Sequence, residues 1–157
     1  VGGFSKMFSM TGLRIGYYAC SQMLMNEIIK IHQYNVSCAP SICQWAVYNG
    51  LKYGLKDVSH MKEVFRTRKD MVVGKLKEMG LDVITPKGAF YVFPSIKKFN
   101  IPSEEFALRL LNEEKVACVP GTAFGIGGEG YLRISYCYSD DELIEALKRI
   151  EKFINKI

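Results

Sequence analysis

The apolar positions of this chain recur with a helical period in some stretches and crowd into short runs in others. Leu143, Ile144, Leu147, Ile150, Ile154 and Ile157 line one face of a helix, and Ser139 with Glu142 forms the reciprocal cap that opens it. From about Val58 to Met79, the residues Met61, Val64, Phe65, Val72, Leu76 and Met79 predict a longer helix, closed by Gly80. Ser21 can cap a helix in which Leu24, Ile28, Ile29 and Ile31 supply the apolar face. Asn35 to Pro40 breaks that helix, and Ser41 to about Tyr53 predicts the next, ahead of Gly54. Ser103, with Glu104 and Glu105 in a first turn, predicts another. The short runs are rich in β-branched and aromatic residues: Leu13 to Cys20, Leu81 to Ile84, Ala89 to Phe93, Val116 to Val119 and Tyr131 to Tyr138. These predict strands.

Strands alternate with helices mainly in the second half. The order predicts the edge of an α/β domain with a connecting helix over residues 1–56, then a small, compact α+β domain over residues 57–157. No repeat or low-complexity tract interrupts it. The chain opens at Val1, directly into a motif, and so reads as the C-terminal part of a longer protein.

Composition narrows the function classes. With 48% apolar and 24% charged residues, the chain matches an ordinary globular domain. Lys and Arg outnumber Asp and Glu by 21 to 16, an excess that mildly favours small anions and is too weak to argue for nucleic acid. The densest basic stretch, Lys62 to Lys77, is interrupted by Glu63 and Asp70 and reads as a solvated helix face. Cys20, Cys38, Cys43, Cys118 and Cys137 form no C-x-x-C pair and read as reduced, mostly buried thiols of a cytoplasmic protein. His32 and His60 sit in no metal-ligand pattern, so no metal is expected. No apolar stretch is long enough to cross a bilayer.

Candidate chemistry lies in Gly3 to Tyr17. Lys6 stands in a loop of small and apolar residues, where loss of solvation favours the neutral amine that imine formation requires. Arg14 opens the predicted strand eight residues later and offers a planar fork of donors suited to a phosphate. Together they suggest a phosphorylated aldehyde. Taken as residues alone, they read more readily as a solvated cation and an arginine paired with an acid. Gly125 to Gly130 matches G-x-G-x-x-G, but it opens into a strand rather than a helix, so a dinucleotide site is rejected. Phe90, Tyr91 and Phe124 suit core packing and a pocket wall equally; Tyr34 and Trp45 read as packing residues.

The string Ser5-Lys6 followed by Met10-Thr11-Gly12-Leu13-Arg14-Ile15-Gly16-Tyr17 resembles the cofactor-lysine signature of the class I and II aminotransferases, which are fold-type I pyridoxal-phosphate enzymes. The similarity continues in order along the chain. Ile31 to Tyr34 and Cys38 to Pro40 resemble the break before the interdomain helix, and Gly88 to Tyr91 a strand facing the substrate. Val119 to Gly125 resembles the loop that follows, and Gly130 to Ser135 the strand bearing the carboxylate-binding arginine. Gly3 departs from relatives that place a phosphate-contacting Ser there.

The resemblance implies that Lys6 holds pyridoxal 5'-phosphate and moves the substrate proton, that Arg14 binds the phosphate with Ser5 as helper, and that Arg133 pairs with the substrate carboxylate beside Phe90. It implies an amino-acid aminotransferase acting on an amino acid and a 2-oxoacid, a homodimer at full length, and inactivity for this part alone. In the family the remaining cofactor contacts lie upstream of the lysine. Two rivals stand beside it: a carbon–sulfur lyase or synthase of the same fold, which would use the same Lys6, Arg14 and Arg133, and the aminotransferase-like effector domain of a transcriptional regulator, which would need a DNA-binding module that no segment here resembles.

Overall fold

The computed structural model describes residues 1–157, which divide into two compact units, Val1–Lys62 and Glu63–Ile157. In the first unit β1 (Gly2–Gly3) is followed by α1 (Phe4–Met7), β2 (Gly16–Tyr17), α2 (Gln22–Asn35) and α3 (Ser41–Tyr53). Helix α4 (Leu55–Glu78) begins in it.

The strand expected over Leu13 to Cys20 shrinks to two residues, and it pairs antiparallel with β1, Gly2 opposite Tyr17 and Gly3 opposite Gly16. The cause is local. Thr11–Leu13 forms a 3-10 turn and Arg14 follows in the left-handed region at φ 50 and ψ 49, which an extended ladder cannot accommodate. The two strands come close because both carry glycine: a Cβ on Gly16 would lie 2.9 Å from the Gly2 carbonyl oxygen.

Helices α2 and α3 form where the apolar periodicity places them, with Ser37 left-handed in the break between them. The predicted cap at Ser21 is extended in backbone but makes no side-chain hydrogen bond. No residue of α2 is buried, and Leu24, Ile29 and Ile31 stay exposed. Only Phe4, Cys43 and Val47 are buried hydrophobics in this unit. Helix stability in proteins comes mostly from burying an amphipathic face, so α2 has little to anchor it within the chain.

The second unit holds the core. After α4 come β3 (Tyr91–Val92), α5 (Ser103–Glu114), β4 (Val119–Pro120), β5 (Leu132–Ser135) and α6 (Asp140–Ile154). The three strands form an antiparallel sheet with β5 between β3 and β4. Tyr91 faces Ser135, and the same register runs on to a bridge between Ser95 and Tyr131, past Pro94, which has no N–H to donate. The strands are therefore shorter than predicted. The run Leu81 to Ile84 contributes one bridge, Asp82 to Ser95, and Val116 to Cys118 lies outside the ladder.

Val72, Leu76, Val92, Ile96, Phe106, Leu110, Leu132, Leu147 and Phe153 meet in one cluster, with Phe106 edge-on to Phe153 at 5.1 Å. Gly80, at φ 73, ends α4 as predicted: its N–H donates to Lys77 and that of Leu81 to Leu76, the pairing that closes a helix through a left-handed residue. The basic stretch on α4 is a solvated face tied by Glu63–Arg66, Arg68–Asp140 and Lys75–Glu78. At α6 the Ser139 and Glu142 box is formed.

Two expectations need correction. Ser103 is the first residue of α5 rather than its cap, and the cap comes from elsewhere in the chain: Glu129 accepts the Ser103 backbone N–H at 2.9 Å. The cysteines are free, but Cys20, Cys38 and Cys137 are exposed because they lie outside the core cluster. Burial pushes the half-buried Cys118 thiol up to about 11.

Glu114 is the one buried carboxylate. Lys156 and Lys152 both hydrogen-bond it, and these bonds hold its carboxyl below the usual value of 4.5. A depressed value means that the contribution to stability is complete above the ordinary carboxylate range and is lost as pH falls through the lower folded value. Urea denaturation of Glu114→Gln should therefore show a clear loss of stability at pH 7 that narrows only as pH falls beneath the ordinary carboxylate range, through the lowered value at which folded Glu114 takes up its proton.

Candidate active site

Lys6 and Ser5 sit on the single turn of α1, and Arg14 at the end of the 3-10 turn that returns the chain to β2. The backbone bonds Phe4 N–H to Ile15 and Ser9 N–H to Lys6 close this loop, and the buried Phe4 ring anchors it against Phe8 and Tyr17. Arg14 donates to the Thr11 carbonyl at 3.0 Å and forms no ion pair. The rest of its fork and the Ser5 hydroxyl are uncommitted within the chain. That donor set suits the phosphate of a phosphorylated ligand. Lys6 is exposed.

Arg133 lies in the second unit at the middle of β5. Its neighbours Leu132 and Ile134 point to the core, so strand alternation turns Arg133 to the other face. There the guanidinium carbon stands 4.5 Å from the Tyr91 ring centre and 4.6 Å from that of Phe124. No carboxylate pairs with it and no hydrogen bond engages its donors. Phe90 is half-buried, stacked 5.8 Å from Phe65 and tilted against Tyr91 at 4.6 Å. Tyr91 and Phe124 form the walls. Sequence left them open between core and pocket, since they come from separate segments with no shared period.

The glycine run behaves as predicted, joining β4 to β5 without opening a helix. Two short 3-10 turns, Gly121–Phe124 and Ile126–Gly128, fold it back on itself. A Cβ on Gly121 would stand 2.1 Å from the Gly128 carbonyl oxygen. The run is pinned at its far end by a network that sequence reading missed. Glu129 accepts from the backbone and hydroxyl of Ser103, and the buried Ser103 hydroxyl accepts from Gly130 and Tyr131. The Ser103 backbone bond chiefly keeps the Glu129 carboxyl below its usual range. Glu129 and Ser103 lie 26 residues apart, so no local signal could have joined them.

Comparison with known proteins settles the family. The model of the class I and II aminotransferases matches residues 1–150. The chain belongs to the class I and II aminotransferase family. It is 49% identical over 156 residues to YugH of Bacillus subtilis (strain 168), covering 99% of this chain and 40% of that protein. It is 42% identical over 158 residues to the aspartate aminotransferase of Pyrococcus abyssi, covering 99% of this chain and 41% of that one. Among solved structures, the aromatic aminotransferase of Pyrococcus horikoshii OT3 aligns at TM-score 0.93 and 40% identity, over 98% of this chain and 42% of that chain. The fold is thus that of the fold-type I aminotransferases, and this family member spans about 40% of the length of the curated relatives it matches.

Gly121→Ala should force the crossing at Gly128 apart, costing about 1–3 kcal/mol and loosening the turn that carries Phe124. Thermal denaturation should show the lower midpoint, and tyrosine and phenylalanine ring resonances near Arg133 should broaden. An unchanged midpoint would mean that the turn gives way freely.

Proposed function

We propose that the full-length protein is a pyridoxal-phosphate-dependent aminotransferase, transferring an amino group from an amino acid to a 2-oxoacid, and that it works as a cytoplasmic homodimer. The observation that carries the reading is Arg133, a half-buried guanidinium held between two aromatic rings with no carboxylate of its own. Relatives named aspartate and aromatic-amino-acid aminotransferase support it. No helix is long and apolar enough to cross a membrane, and the charge balance gives no nucleic-acid footprint.

In this reading residues 1–56 belong to the cofactor-binding domain and residues 57–157 to the small domain. When bound, pyridoxal phosphate supplies an aldehyde that takes up the amino group and a ring that withdraws electrons from the substrate α-carbon. Arg14 and Ser5 hold its phosphate with charge-assisted hydrogen bonds. Lys6 Nζ holds it in place, then takes the proton from the substrate α-carbon. Arg133 grips the α-carboxylate with both arms of its fork and so fixes the orientation of the substrate α-carbon. Phe90, behind Tyr91, keeps that wall in place.

Borohydride reduction of the full-length holoenzyme, followed by peptide mapping, should put the pyridoxyl mass on Lys6; label on another lysine would overturn that role. Arg133→Ala should raise KM and lower kcat/KM at least about 30-fold, as expected when one partner of a desolvated charge pair is lost at about 2–5 kcal/mol, while cofactor stays bound. Arg14→Ala should instead lose cofactor first. Identical phenotypes in the two variants would show that the roles are wrongly divided.

A further inference from the structure

The Arg133 site contains more than the arginine. A guanidinium has two flat faces, where it stacks, and an edge carrying its N–H groups, where it binds planar anions in a fork. Tyr91 approaches Arg133 to 4.5 Å and Phe124 to 4.6 Å, both within the range of a cation–π contact. The two rings reach it from different directions along the chain. Tyr91 comes from β3, in a register that places it diagonally across from Arg133, and its ring is backed by Phe90. Phe124 comes from the turn at the far side, about half exposed, and is braced edge-on by Phe93 at 5.9 Å. Phe93 rests in turn on Tyr131 at 5.8 Å.

We infer that Phe124 is a positioning residue: with Tyr91 it holds the plane of the Arg133 guanidinium and leaves its N–H edge to the carboxylate. This rests on the reading of Arg133 as the carboxylate site. Tyr91 is part of the sheet, whereas Phe124 stands on a turn with an exposed outer side, so Phe124 is the wall whose removal frees the arginine without disturbing the core. An unclamped arginine samples many rotamers, and ordering it again on binding weakens the complex. Losing that preorganisation sets the expected loss at roughly tenfold in carboxylate affinity.

The test uses the 157-residue chain, with the Arg133 side-chain Nε–H resonance assigned by its disappearance in Arg133→Lys. Without ligand, ring currents should displace this resonance in wild type and in Phe124→Tyr, and the displacement should collapse in Phe124→Leu. Titration with benzoate should then move it with an affinity about tenfold weaker in Phe124→Leu and restored in Phe124→Tyr. Circular dichroism and thermal midpoints should match across the three proteins. A resonance that is equally displaced in Phe124→Leu, or an equal benzoate affinity in the two variants, overturns the positioning role. A wild-type resonance that ignores benzoate, acetate and free amino acids overturns the carboxylate site itself, and the ligand-free ring-current comparison tells that failure apart from a failure of the clamp.

Discussion

The second unit depends on strand β5 being hydrogen-bonded along both edges. One edge meets β3 with Val92 opposite Ile134, the other meets β4 with Val119 opposite Arg133. Side chains on a strand alternate, so this pairing decides at once that Leu132 and Ile134 enter the core and that Arg133 and Ser135 leave it. A slip of one residue would exchange the two sets and bury a guanidinium among Val92, Phe106 and Leu147. The same register brings Tyr91 into diagonal reach of Arg133, so the core and the candidate site are two faces of one constraint.

What holds that register is spread over the chain. Pro94, beyond β3, and Pro120, the last residue of β4, cannot donate, while the Leu132 N–H still finds the Pro94 carbonyl at 3.1 Å and the Gly121 N–H finds Tyr131 at 2.8 Å. At the entrance to β5 the buried Ser103 hydroxyl and the Glu129 carboxylate bind the start of α5 and the start of the strand to one another. This node satisfies backbone donors at a helix N-terminus with a charge of the sign that terminus favours. It replaces the self-contained cap that Ser103 seemed to offer.

The two units differ in how much of their apolar sequence finds a partner. In the second, the helix periodicities become a shared core with Leu76, Ile96, Leu110 and Phe153 fully buried. In the first, Trp45, Ile31 and Tyr34 stay exposed although they lie on well-formed helices. Local pattern creates the helix; neighbouring surface decides whether it is buried.

Sequence alone determined the helices, since capping and helical period are properties of neighbouring residues: Ser41–Tyr53 and the Ser139 to Glu142 box stand where they were expected. It also determined the family resemblance and the rejection of the glycine run as a dinucleotide site, because both rest on ordered short motifs. Tertiary structure alone decided the rest. Strand lengths depended on which edges met, so Leu13 to Cys20 became a two-residue strand beside Gly2–Gly3. The placement of Phe124 and Tyr91 on Arg133, and of Glu129 on Ser103, joins segments far apart in the chain. Such contacts are fixed by packing and register, which no local pattern of residues encodes.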